Sequence, residues 1–264
     1  MSTALRLALL IVVVGCSYLF LGHPYWFPAG ASANSASIDR QFRIAFWVFG
    51  TLFVIGHFVL IYVLSKRPHG DGKLSPGNWR LEATWTLAIT VIFFWFNVSG
   101  EHLWSSMMPV KQAGDIEIEV IGAQFQWYFR YPGADGVFGK TDAQKFARAA
   151  EGNPLGIDPG DPAGRDDILS TAMVVPVGHA VQLHLRAQDV VHSLFIPAMR
   201  FKQDTVPGME IHSRFTPTQI GNYEIACAEL CGLGHYRMRA MVRVVSEEAF
   251  EKWIKAQETA AAGH

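Results

Sequence analysis

The hydrophobic period of the chain changes once, near Met108, and this divides it into two kinds of material. Before that point lie three long apolar stretches, Leu7–Leu21, Ile44–Leu64 and Trp85–Val98; after it come short runs in which apolar and polar residues alternate. The second stretch is long enough by itself to cross a hydrocarbon core of ~30 Å. The third reaches that length if its helix extends from about Leu81 to Leu103. A chain of 264 residues, 50% apolar and 17% charged, has room for such helices and for one cored domain besides. Its formal net charge of -1 argues against bulk nucleic-acid binding, which needs a basic face, so no nucleic-acid partner is expected.

Charge asymmetry orients the helices. Residues 65–80, between the second and third stretches, carry Lys66, Arg67, Lys73 and Arg80 and should stay in the cytoplasm. The second stretch then runs outside to inside, the third returns, and everything from about Met108 lies outside. Residues 41–106 thus form a transmembrane hairpin. Residues 1–24 have two readings. Arg6 and the run Val13-Val-Gly-Cys16 suit a signal or lipoprotein peptide, and the same residues suit an extra N-terminal transmembrane helix. Glu82 falls at the start of the third stretch, where the helix dipole favours an acid. A carboxylate at a membrane boundary also suits a proton path.

The exported part reads as strands. Asp115–Ile121 and Ala180–Arg186 alternate strictly, and residues 124–131, 171–175, 208–215, 221–227 and 239–245 are further candidates. Several short strands between Pro/Gly turns predict a Greek-key sandwich or small barrel over residues 107–246. Within it, the segment 132–168 is rich in Gly, Asp, Pro and Ala and has no sustained alternation, so it is an extended loop, with a short helix expected over Lys140–Ala150. Residues 247–264 form a closing helix and tail. Ser246 is its N-cap, and Phe250, Trp253 and Ile254 share the face that packs on the sheet.

The chemistry is concentrated in Cys227-Ala-Glu-Leu-Cys231-Gly-Leu-Gly-His235-Tyr-Arg-Met238, with a second imidazole upstream at His192. Thiolates and thioethers favour Cu(I), while imidazole accepts both copper oxidation states, so this donor set suits an ion that alternates between them. Two cysteines four residues apart can bridge a pair of coppers if the loop curls round them. Zinc competes for Cys227, Cys231, His235 and His192, although the second close-spaced ligand pair of a zinc finger is missing. A Cys227–Cys231 disulfide suits an exported domain. Thioether-linked haem is disfavoured because Cys-x-x-Cys-His is absent. Taken singly, His192 and Met238 would be ordinary core residues.

From Arg43 to the closing helix the chain resembles subunit II of the haem-copper cytochrome c oxidases. Two signatures carry the likeness, Cys-x-Glu-x-Cys-Gly-x-x-His-x-x-Met at 227–238 and Asp189-Val-Val-His192-Ser193. Further matches are Glu82-Ala-Thr-Trp85-Thr86, Lys202-x-Asp204-x-x-Pro207-Gly208 and Gln126-Trp127-Tyr128-Phe129. The resemblance implies N-terminal transmembrane helices followed by an all-β cupredoxin-like barrel that holds a binuclear copper A centre. Cys227 and Cys231 would bridge the coppers, and His192 and His235 would ligate one each. Met238 and the backbone carbonyl of Glu229 would complete the set, with the Glu229 side chain contributing to a magnesium or manganese ion shared with subunit I. Trp127 would receive the electron from cytochrome c, and Glu82 would lie at the mouth of a proton channel.

By the same resemblance, the chain passes electrons from cytochrome c, or from a cytochrome c domain, to haem held only in subunit I. There oxygen is reduced to water and protons are pumped. The implied partners are subunit I, other oxidase subunits, the lipid membrane and a larger respiratory supercomplex. The implied location is the bacterial plasma membrane, multi-pass, with the copper domain on the periplasmic side. Leu194, Met209 and Phe129 stand where the family has Trp, Arg and Trp. The alternatives are the copper A subunit of another terminal reductase, such as nitric oxide reductase, or a copper-handling protein. A quinol oxidase subunit would lack the ligands.

Overall fold

The computed structural model describes residues 3–22, 28–66, 77–107, 112, 114–142, 145 and 153–261. Most of the basic loop and most of the helix expected at Lys140–Ala150 lie outside them. The chain forms two compact units, one of residues 1–26 and 37–106, the other of residues 27–36 and 107–264.

The first unit is helical: α1 spans Thr3–Gly22, α2 Ser35–Lys66 and α3 Trp79–Met107. Helices α2 and α3 are each long and apolar enough to cross a membrane, and their large apolar side chains point outward. Such surfaces need cover, by lipid or by a partner protein within it. Phe49 stacks on Phe96 at 5.3 Å between ring centroids, and the Gln41 side-chain amide donates to Ser99 Oγ at 2.9 Å, joining α2 to α3. Asn78 caps α3, its Oδ1 accepting from the Arg80 N–H at 3.2 Å. Glu82 therefore sits in the first turn of α3.

The second unit is a cupredoxin-like β-sandwich. Its strands are β1 (Ile116–Ala123), β2 (Gln126–Tyr131), β3 (Ile168–Ser170), β4 (Met173–Pro176), β5 (Val181–Ala187), β6 (His192–Ile196), β7 (Phe201–Thr205), β8 (Ile211–Phe215), β9 (Gly221–Cys227) and β10 (Arg239–Val245). They form two five-stranded sheets, ordered β3-β2-β1-β5-β8 and β4-β10-β9-β6-β7. Alternation on β1 and β5 turns Ile118, Val120, Leu183 and Leu185 inward to meet Leu194, Ile196, Ile225, Val242 and Val244 of the other sheet. Helix α4 (Glu247–Ala261) begins at Ser246, whose Oγ accepts from the Ala249 N–H at 3.3 Å, and Trp253 meets the Tyr131 ring edge-on at 5.0 Å.

Three strands lack a sequence signal. β3 is only three residues long, β6 is buried on both faces, and β7 is a polar edge strand. Tyr128 and Phe129 lie on opposite faces of β2, Phe129 in the core between the sheets and Tyr128 on the outer face. Both are buried, because Leu155 of the 132–168 segment covers Tyr128 and Ile121 on the outer face of the sheet.

Candidate metal centre

Two strand ends and one loop make the site. His192 opens β6 and Cys227 closes β9; the two strands run antiparallel with Leu194 opposite Cys227, which brings the imidazole beside the thiol. The chain then turns out through residues 228–237, with a 3-10 turn at His235–Arg237. It closes where the Cys227 N–H donates to the Met238 carbonyl at 3.1 Å.

This loop brings six donors together. Cys227 Sγ lies 4.0 Å from Cys231 Sγ, 4.0 Å from His192 Nδ1 and 3.2 Å from the Glu229 carbonyl oxygen. Cys231 Sγ lies 3.6 Å from His235 Nδ1 and 3.8 Å from Met238 Sδ. Both thiols are free and their separation is about twice a disulfide bond length (~2.05 Å). His192, Cys227, Cys231 and Met238 are buried, His235 is half-buried, and the Glu229 side chain is exposed. Soft sulfur donors beside imidazoles in a dry pocket fit copper. Burial, and then the neighbouring Cys227, push the Cys231 thiol up to about 11, so a metal must displace its proton and uptake is linked to pH.

Asp189, Ser193 and Asp204 stood in the sequence signatures without a role at the site, and Gln124 and Phe125 carried no signal of one; the structure shows what each does. His192 Nε2 hydrogen-bonds Asp189 Oδ1 at 2.8 Å, which directs Nδ1 at the cysteines. Burial pushes the Asp189 carboxyl up, but hydrogen bonds from the Gln124 N–H, His192 and the Val190 N–H outweigh it and hold it below the usual carboxylate range. Gln124 and Phe125 form the two-residue tip of the β1–β2 hairpin, and the tip grips the ligand loop. The Gln124 side chain donates to the Cys231 carbonyl, and the Phe125 ring lies over Gly234, where any side chain would collide with it. Ser193 donates to Asp204 Oδ1 at 2.6 Å and stitches β6 to β7 beside the site.

Trp127 is 0% exposed; its ring meets His192 edge-on at a centroid distance of 6.0 Å. Phe125, at the hairpin tip, is 38% exposed. Leu230, Leu233 and Tyr236 on the ligand loop are exposed as well. Glu82 lies in the helical unit, away in sequence from all of these.

A family model described as the periplasmic domain of cytochrome c oxidase subunit II matches residues 116–245. The alternative cytochrome c oxidase subunit 2 of Bradyrhizobium diazoefficiens is 33% identical over 261 residues, spanning 97% of this chain and 92% of that protein. The chain belongs to the cytochrome c oxidase subunit II family. A second member, cytochrome c oxidase subunit 2 of Cereibacter sphaeroides, is 32% identical over 255 residues, 89% of this chain and 82% of that protein. The crystal structure of the periplasmic domain of subunit II (CoxB) of Bradyrhizobium japonicum matches at 27% identity and a TM-score of 0.42, over 57% of this chain and 99% of that one. As a subunit II, the protein is an electron-transfer subunit of a cytochrome c oxidase-type respiratory complex, with subunit I and cytochrome c-type proteins as partners. Its apolar helices anchor it in the membrane, and its sandwich is the periplasmic copper-binding domain.

Proposed function

We propose that Cys227 and Cys231 bridge two copper ions, that His192 and His235 ligate one each, and that Met238 and the Glu229 carbonyl complete the binuclear centre. The carrying observation is the convergence of two thiols, two imidazoles, a thioether and a carbonyl, each within 4.0 Å of one of the cysteine sulfurs. A zinc site of four ligands would leave the Met238 thioether and the Glu229 carbonyl without a role. When bound, such a centre supplies a one-electron store whose charge is spread over both metals and both sulfurs.

The protein's own residues do the rest. Asp189 fixes the His192 ring, Gln124 fixes the carbonyl of Cys231, and the closed loop keeps water from the sulfurs. A cytochrome c-type donor docks over the apolar rim of Phe125, Leu230, Leu233 and Tyr236. Trp127, buried and edge-on to His192, is the inner aromatic on the way from donor to ligand, and Phe125 is an exposed ring at the neighbouring hairpin tip. Electrons leave toward haem in subunit I, where oxygen becomes water. The exposed Glu229 carboxylate is free to complete a magnesium or manganese site with groups of subunit I, since hard cations take oxygen ligands. Glu82, at the start of α3, serves the mouth of a proton channel there.

The test is copper quantification with electron paramagnetic resonance on the full chain in detergent. Two coppers per chain, with hyperfine structure from one shared electron, are expected. A single localised Cu(II) signal would overturn the binuclear reading.

A further inference from the structure

A second cluster of metal-ligating side chains lies on the outer face of the first sheet, and none of its members belongs to the copper site. His184 on β5 pairs directly with His212 on β8, and Glu210 stands two residues before His212, on the same side of the strand. Opposite residues on antiparallel strands bring their side chains side by side, and here the two imidazole rings meet edge-on at 4.9 Å. Glu210 Oε1 lies 3.1 Å from His184 Nδ1 and 3.7 Å from His212 Nε2. One donor atom from each of the three residues falls within 4.8 Å of the others.

What surrounds this triad resembles the support of a ligand set. The other nitrogen of His184, Nε2, lies 3.2 Å from Glu117 Oε2. A neutral imidazole donates from one nitrogen only. Carboxylates flank both nitrogens of His184, Glu210 at Nδ1 and Glu117 at Nε2. With Nε2–H donating to Glu117, the Nδ1 lone pair faces Glu210 and His212, the carboxylate–histidine arrangement that orients metal-binding imidazoles. Arg186 pairs with the second oxygen of Glu210 and leaves Oε1 to the imidazoles. Phe138, from the 132–168 segment, covers the His184 ring edge-on at 5.5 Å. Beside the triad lies a cleft of about 330 Å³, lined in part by Phe138, His184, Arg186 and Glu210.

We propose that His184, Glu210 and His212 form a second metal site, for a borderline divalent cation of the Zn2+ class, with Glu117 as the positioning residue of His184. Two imidazoles and one carboxylate suit Zn2+; the absence of sulfur disfavours Cu(I), and two nitrogens disfavour Ca2+ and Mg2+. Three protein ligands leave a coordination position for water. Because β8 is the edge strand of its sheet, the ion clips that edge to β5.

The test uses the full chain in detergent with its copper site already loaded, dialysed against Zn2+ and then quantified for both metals. One zinc per chain beyond the copper is expected. His212→Gln, at a half-exposed side chain whose loss leaves the core intact, should abolish that zinc without changing copper content. Glu117→Gln should keep the zinc but bind it about 10- to 100-fold more weakly. Co2+ in place of Zn2+ should give d–d bands without thiolate charge transfer. No zinc in the wild type, equal zinc in His212→Gln, or cobalt bands carrying thiolate charge transfer would each overturn the assignment.

Discussion

His192 turns Nε2 to Asp189 Oδ1 at 2.8 Å and Nδ1 to Cys227 Sγ at 4.0 Å, so one carboxylate decides which nitrogen faces the metal site. Asp189 also accepts from the Gln124 N–H at 2.7 Å, which ties the hairpin tip to the same imidazole. Asp189→Asn keeps the shape but loses the charge that makes His192 a stronger donor. Copper affinity should fall about 10- to 100-fold. Competition with a copper chelator at fixed pH measures this; unchanged affinity would show that Asp189 does not support the ligand.

Gly122 supplies the space in which the His192 and Trp127 rings meet. A Cβ there would lie 2.9 Å from His192 Cδ2 and 3.1 Å from Trp127 Cζ3. Both rings are buried and neither can swing away. Gly122→Ala should destabilise the domain by about 1–3 kcal/mol, the usual range for overpacking, and perturb the copper spectrum. Chemical denaturation alongside the visible spectrum checks both; a stable variant with an unaltered spectrum would mean the rings yield freely.

Trp127→Phe should slow electron arrival and leave the copper spectrum intact, since Trp127 touches His192 by its ring edge without ligating. Phe125→Ala should weaken donor docking instead, appearing at limiting donor concentration and vanishing at saturation. Stopped-flow reduction by a cytochrome c across a range of concentrations separates the two. An unchanged saturating rate in Trp127→Phe would remove that ring from the route.

The helices were legible because runs such as Ile44–Leu64 are long and apolar enough to cross a membrane, and β1 and β5 because their alternation is strict. The candidate donors were legible because Cys227, Cys231, His235 and Met238 share one short stretch of sequence, so spacing carries the chemistry. Gln124 and Gly122 were not, because they act through a hairpin about a hundred residues from that loop, and Asp189, though it stood in the His192 signature, shows its role only through contacts that exist in three dimensions. Trp127 stood out as an indole in a signature, yet on β2 it faces the core, while the plainer Phe125, in the hairpin tip before that strand, lies at the surface. The triad of His184, Glu210 and His212 depends on strand register, which no local pattern discloses.

Met238→Leu keeps the volume of a fully buried side chain while removing the sulfur 3.8 Å from Cys231 Sγ. A volume-conserving swap of this kind should cost less than about 1.5 kcal/mol. Copper should remain bound, because on the proposed assignment a single thioether would tune a site that the cysteines and histidines build, and the reduction potential should shift. Redox titration followed optically measures the shift; loss of all copper would contradict the tuning role.

Asp167 makes the 132–168 segment sensitive to acid in an unusual direction. Its Oδ2 accepts from Arg130 Nη1 and the Gly139 N–H, each at 3.0 Å, while Oδ1 is buried without a partner among the described residues. Burial pushes the carboxyl up to about 6, against the pull of Arg130. An unfolded Asp titrates near 3.9. Between about pH 4 and 6 the folded protein therefore holds a proton that the unfolded chain has released. The Asp167 contribution to stability rises as pH falls through that window and is lost as pH rises past about 6. Asp167→Asn mimics the protonated form at every pH. The melting temperature of the wild type minus that of Asp167→Asn should increase from about pH 7.5 to about pH 5. A difference that shrinks over that range would show that the pairing with Arg130 outweighs burial and that Asp167 titrates below its ordinary value.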